Sequence, residues 1–121
     1  MIIDHCRNIQ EFYNLYNSVD NSNLAKPDDI LNLNDFCLCF YDEKTNKLRG
    51  VIYLEIRKGK IFLSGFSERK NYQNNIDAVI MVCEYLKQDI YSETPFKNAA
   101  IILKKCGFKK ISENLYKRSK K

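Results

Sequence analysis

The stretch Ile61-Phe-Leu-Ser-Gly-Phe66, followed by Ser67 to Asn75 and then Ile76-Asp-Ala-Val-Ile-Met-Val-Cys-Glu-Tyr-Leu86, reads as a buried strand, a polar turn and a long core helix. A strand that opens at its carboxyl end into a helix N-terminus aims unpaired backbone N–H groups and the positive end of the helix dipole at one spot. Anionic ligands commonly sit at such spots. The helix, from about Asn75 to Gln88, carries Ile76, Val79, Ile80, Cys83 and Leu86 on one face. Met81, Val82 and Tyr85 widen that arc, which predicts a central rather than a peripheral helix.

Working outward toward the N-terminus, Leu48 to Arg57 alternates Leu48, Gly50, Ile52, Leu54 and Ile56 against Arg49, Val51, Tyr53, Glu55 and Arg57, a strand with one apolar and one mixed face. The turn centred on Gly59 joins it to Ile61–Phe66. Before it, Phe36-Cys-Leu-Cys-Phe-Tyr41 is a continuous apolar run that suits a strand covered on both faces. A three-stranded antiparallel meander is predicted. Upstream again, Cys6, Ile9, Phe12, Tyr13 and Tyr16 fall at helical spacing with Asp4 as N-cap, and Pro27-Asp-Asp-Ile30 suits the first turn of a short helix.

Toward the C-terminus, Asp89–Glu93 is a short strand, and Thr94 as N-cap with Pro95 at the first helical position starts a last helix. Gly107 is placed to cap that helix in the left-handed conformation, with Phe108 closing it. Phe108–Ile111 and Leu115–Arg118 read as two strands joined at Glu113-Asn114.

A chain of 121 residues suits one domain, residues 1–121, with one ordinary core. The hydrophobic share of 45%, with seven Phe and eight Tyr, argues against disorder. No run approaches the ~18 apolar residues of a membrane span, and Met1-Ile-Ile-Asp-His-Cys-Arg7 lacks a charged region followed by an apolar one. A cytoplasmic protein without membrane contact is expected. The five cysteines, odd in number and set among apolar residues, read as free packed thiols. The net charge of +5 is uneven: Lys104–Lys121 holds eight basic residues against one acidic, net +7, and the rest of the chain is net −2. That basic segment could meet nucleic acid, a phosphorylated cofactor or an acidic protein face, or be a solvated surface.

Hydrolytic machinery is hard to assemble around a single histidine, His5. No metal site is expected: Cys37 and Cys39 are taken to point to opposite sides of their strand, and no spaced second pair exists. Gly50, Gly59, Gly65 and Gly107 are too scattered for a phosphate loop.

The element order α-α-β-β-β-α-β-α-β-β, together with Ala99-Ala-Ile-Ile-Leu-Lys-Lys-Cys-Gly-Phe108, resembles the GNAT family, the Gcn5-related N-acetyltransferases, over nearly the whole chain. The resemblance implies an α/β (α+β) fold with a mixed, mostly antiparallel sheet and helices on both faces. It implies acetyl-CoA in a V where the strand ending at Phe66 splays from the strand near Ile90, with acyl transfer to an amine. The family's pyrophosphate motif, Gln/Arg-x-x-Gly-x-Gly/Ala, falls on Asn71-Tyr-Gln-Asn-Asn-Ile76, so Phe66, Asn71, Tyr72, Gln73, Asn74, Asn75 and Ile76 are the cofactor-site candidates. Asn74 and Ile76 stand where the family has small residues, and a β-branched residue there strains the backbone or shields the amides. Leu103 stands at the place of the family's tyrosine acid, and Phe96 at that of its asparagine. Tyr72, Tyr85 and Tyr91 remain as candidate acids, Tyr91 first among them, and Glu55 is the candidate base.

The resulting reading is a divergent GNAT-fold protein, non-catalytic or weakly active, acting by binding another macromolecule. The alternative is an acetyl-CoA (acyl-CoA)-dependent N-acetyltransferase modifying an amine of a protein or small molecule. A third reading is a nucleic-acid binder through Lys104, Lys105, Lys109, Lys110, Lys117, Arg118, Lys120 and Lys121, with Phe108 and Tyr116 available for stacking.

Overall fold

The computed structural model describes residues 1–68 and 72–120. In chain order the elements are β1 (Ile2–Asp4), α1 (Ile9–Ser18), α2 (Pro27–Leu31), a 3-10 turn (Asn34–Phe36), β2 (Cys37–Tyr41), β3 (Leu48–Arg57) and β4 (Lys60–Ser67). They continue with α3 (Tyr72–Leu86), β5 (Ile90–Glu93), α4 (Lys97–Lys105), β6 (Lys109–Ser112) and β7 (Leu115–Arg118). One seven-stranded sheet runs β1-β2-β3-β4-β5-β7-β6. The chain forms two compact units, Met1–Leu54 with Ser64–Asn71, and Glu55–Leu63 with Tyr72–Lys121.

In the first unit the expected helix start is corrected. Asp4 is the last residue of β1, paired with Cys39, and α1 begins at Ile9. The β-branched pair Ile2-Ile3 extends along β2, while Asn8 caps the helix, its Oδ1 accepting from Glu11 N at 3.0 Å. Phe12, Leu15 and Tyr16 then face the core, and Pro27 opens α2 as expected.

β2 and β3 are antiparallel with Cys37 opposite Tyr53 and Cys39 opposite Val51. Cys37 and Cys39 therefore share a face, correcting the expectation that they diverge: residues two apart on a strand point the same way. Both are buried in one cluster with Phe12, Ile30, Tyr41, Val51, Tyr53 and Phe66, with Cys6 packed against it. Val51 and Tyr53 on the mixed face of β3 are thus as buried as Ile52 and Leu54 on the apolar one, whereas Ile56 is 60% exposed. Buried tyrosines satisfy backbone donors here, Tyr53 Oη accepting from Ala25 N at 3.0 Å and Tyr41 Oη from Arg7 N at 2.8 Å.

In the second unit Lys58 and Gly59, both with positive φ, make the two-residue turn from β3 to β4. β4 pairs in parallel with β5, Ile61 opposite Ile90 and Phe62 opposite Tyr91, and β7 pairs antiparallel with both β5 and β6. Ile76, Ala78, Val79, Val82 and Cys83 of α3 are buried, but Met81 is 48% and Tyr85 86% exposed, so the helix has a solvent face and is not central all round. Those two residues widen the apolar arc in sequence and point away from the core in space.

α4 starts at Lys97 with Phe96 as N-cap, two residues later than expected. Thr94 turns its Oγ1 onto Phe96 N at 3.2 Å and lends its own N–H to Asn114 O at 2.9 Å, so it belongs to the turn before the helix. The other end matches expectation. Gly107 takes φ +92°, Phe108 N donates to Leu103 O at 3.0 Å and Gly107 N to Lys104 O at 3.1 Å, a double-bonded helix stop sealed by buried Leu103 and Phe108. Replacing Gly107 with alanine forces a Cβ into the left-handed region and should destabilise the protein by about 1–2 kcal/mol. A lowered urea midpoint with unchanged slope checks this.

Candidate functional site

The site expected at the start of α3 rests on backbone rather than side chains. The helix is 15 residues long, starts at Tyr72 and carries no acidic residue in its first turn, and the leading N–H groups of any helix have no intrahelical acceptor. Asn71 lies outside the described residues, as does the side chain of Tyr72. Gln73 and Asn74 are exposed and Asn75 is half-buried. Gln73 Nε2 donates to Asp77 Oδ1 at 2.9 Å, one turn on.

Ile76 sits in the second turn of regular helix, turned inward and 9% exposed, its carbonyl accepting from Cys106 Sγ at 3.7 Å. As a residue of regular helix it has no positive φ. Phe66 belongs to the first unit, edge-on to Phe12 and Tyr16 in the core.

The parallel ladder of β4 and β5 consists of Ile61–Ile90 and Phe62–Tyr91 and then stops, although β5 continues to Glu93. One residue further, buried Ser92 donates its Oγ to Leu63 O at 2.7 Å, a side chain replacing a ladder bond. A polar side chain therefore satisfies the carbonyl where regular pairing ends.

Glu55 and Tyr91, the candidate base and acid, come together in one surface array on the second unit. Arg57 Nη2 lies 3.4 Å from Glu55 and its Nη1 2.6 Å from Glu93. The same guanidinium lies 4.2 Å from the centre of the Phe62 ring, which stacks on Tyr91 with centroids 5.6 Å apart. Lys60 and Lys117 lie over the Tyr91 ring at 5.1 and 5.6 Å, and Lys117 reaches Asp89 at 3.6 Å. Asp89 is held below its usual pKa by the backbone N–H of Lys120, then by Lys117. Glu55 is thus bound by a guanidinium and the Tyr91 ring is flanked by two cations, a charged surface array.

The place where the resemblance implies a tyrosine acid holds Leu103, 5% exposed in the core. Burial pushes the thiols of both Cys83 and Cys106 up to about 11. His5 lies in the first unit, exposed, with Nε2 3.0 Å from Asp35. Among the described residues no group of His, Cys, Asp or Glu is arranged to hold a metal ion, and no helix is long and apolar enough to cross a membrane.

The basic segment divides in two. Lys104, Lys105, Lys109, Lys110 and Lys120 are exposed. Arg118, with its side chain 12% exposed, donates Nε to Cys106 O at 2.9 Å and lies 3.9 Å from Glu84, so it is a structural cap for α4. Lys121 lies outside the described residues. Phe108 and Tyr116, expected as stacking platforms, are 2% and 5% exposed and are core residues. The surface aromatic pair is Phe62 and Tyr91 instead. Strand alternation could have put Phe62 opposite Ile61 and Leu63, but only the β4–β5 register reveals its partner.

No protein-family model matches the chain, and no curated protein matches it in sequence. Its structure is similar to that of smu.2055 from Streptococcus mutans UA159, with TM-score 0.74, 15% identity and 98% of this chain and 99% of that one covered. It is also similar to a putative GNAT-family acetyltransferase from Bordetella pertussis, with TM-score 0.67 at 12% identity, covering 91% and 88%. The chain has the GNAT fold. A variant of spermidine N-acetyltransferase SpeG from Vibrio cholerae aligns with TM-score 0.63 at 13% identity, covering 97% and 92%. In this GNAT fold the sheet is mostly antiparallel, and β4–β5 is its parallel pair, the place at which the resemblance puts the cofactor.

Proposed function

We propose that this chain uses the GNAT fold to bind another macromolecule and transfers no acyl group at an appreciable rate. One observation carries the reading: the position of the tyrosine acid is the buried Leu103, while Glu55 and Tyr91, the candidate base and acid, are tied into the Arg57–Phe62–Tyr91–Lys117 array. Among the described residues the place of the tyrosine acid then offers a departing CoA thiolate no proton donor, and general acid catalysis typically contributes about 10²–10⁴-fold.

A second reading, an acetyl-CoA-dependent N-acetyltransferase acting on an amine, is favoured by the halt of the β4–β5 ladder after Phe62 and Tyr91 and by the absence of an acidic residue from the first turn of α3. The cofactor's anionic groups would then meet Gln73, Asn74 and Asn75, with Ile76 as a packing residue.

The two are separated by incubating the protein with acetyl-CoA and spermidine and following thiol release alongside the melting curve. No thiol release and no rise in melting temperature at millimolar acetyl-CoA is the expected result. A ligand at 100 times its Kd would add about 2.7 kcal/mol, a shift of several degrees, so a rise of that size with thiol release overturns the proposal.

A further inference from the structure

We infer that the outer edge of β6 is a docking site for an acidic, extended polypeptide segment that pairs with it as an added strand. The inference rests on the binding reading above and names the kind of partner. β6 ends the sheet, beyond β7, and all four of its residues, Lys109, Lys110, Ile111 and Ser112, are exposed. Its outward backbone groups are a template for another chain, the commonest basis of peptide capture by a sheet.

Charge decides the kind of chain. Lys109 stands directly opposite Lys117 in the β6–β7 register, a like-charged cross-strand pair, and such pairs are unfavourable. Asp89 compensates Lys117, whereas neither Lys109 nor Lys110 makes an ion pair among the described residues. Lys110 lies opposite Tyr116, on the other face from Lys109. An added strand with a carboxylate beside Lys109 would relieve that repulsion on one face, and one beside Lys110 would pair its charge on the other. Ile111, at the bulge between Lys110 and Ser112 and 50% exposed, offers an apolar contact between the two lysines and the strand end.

Lysines on an edge also discourage self-pairing, and they do so here. Two copies of β6 side by side would set lysine against lysine, so the occupant is a chain of opposite charge and not a second copy. A nucleic acid fits less well. The faces of Phe62 and Tyr91 are already taken by each other and by Arg57, Lys60 and Lys117, and Glu55, Glu93 and Asp89 interrupt a path for phosphates along that surface.

The test titrates the full chain with a short capped peptide alternating glutamate and valine, following backbone amide resonances and fluorescence anisotropy. Controls are the same peptide with proline in place of valine and an oligothymidylate of similar length. Binding that shifts the β6 amides, weakens about tenfold in the Lys109→Glu, Lys110→Glu double variant and disappears for the proline peptide supports the inference. Equal binding of the proline peptide, tighter binding of oligothymidylate, or an unchanged affinity in the double variant overturns it. Both lysines are exposed, so a melting curve shows whether the double variant is folded. Thiol release from acetyl-CoA in the unaltered protein counts against the binding reading by itself, whereas absent peptide binding without thiol release removes only the β6 site.

Discussion

Replacing Phe66 with alanine is expected to lower the unfolding free energy by about 3–5 kcal/mol, the usual range for emptying a buried aromatic site. The ring is 8% exposed and lies edge-on to Phe12 at 5.6 Å and to Tyr16 at 5.5 Å. Removing it takes away transfer free energy, leaves a cavity among Phe12, Tyr16, Val51 and Tyr53, and cancels two quadrupole-favoured contacts. Phe66→Leu fills most of that volume and should cost about 1–1.5 kcal/mol. With no tryptophan in the chain, far-UV circular dichroism in urea is the measurement. A Phe66→Ala loss below about 1 kcal/mol would mean that the ring is not a core element, and would return it to the list of residues available to a cofactor.

The same residue shows how far the chain could be read from its letters. Placing Phe66 at the carboxyl end of a strand before a long helix needs only period-two alternation, a polar turn and a helical apolar stripe, all of which are local. The β2–β3–β4 meander and the Gly107–Phe108 helix stop were legible for the same reason: a tight turn, or a glycine beside a closing apolar residue, is written in a few consecutive positions. The sense in which Phe66 faces its own unit's core rather than a ligand is a long-range fact, decided by contacts with Phe12 and Tyr16.

β1 escaped because three residues carry almost no periodicity, and because Cys6, Ile9 and Tyr13 happen to fall at helical spacing across its boundary. Glu55 and Tyr91 stand 36 residues apart in sequence. Their meeting through Arg57 and Phe62 depends on the parallel β4–β5 register, which crosses an entire helix. The exposed Tyr85 likewise cannot be told from a buried one by composition, since an amphipathic ring serves either place.

Gly65→Ala is the sharper test of the strand itself, because propensity and geometry predict opposite signs. In a strand interior alanine ordinarily restrains the unfolded chain more than glycine does and stabilises by about 0.4–1 kcal/mol. At Gly65 an added Cβ would lie 2.6 Å from the carbonyl oxygen of Val51. Val51 belongs to β3, 1% exposed and opposite Cys39 in β2, so its carbonyl cannot retreat without disturbing that ladder as well. Overpacking against fixed atoms costs about 1–3 kcal/mol, and a backbone obstacle places Gly65→Ala at the upper end. Gly50→Ala is the matched comparison: its Cβ would meet the Phe40 ring at 2.7 Å and Ser67 Cβ at 3.0 Å, side-chain atoms of which the ring can rotate. Gly50→Ala should therefore be the milder of the two, although the distances are alike. Urea midpoints ranking Gly65→Ala below Gly50→Ala, and both below the parent, are the expected result; a stabilised Gly65→Ala would show that β3 and β4 are not packed as closely as that contact requires.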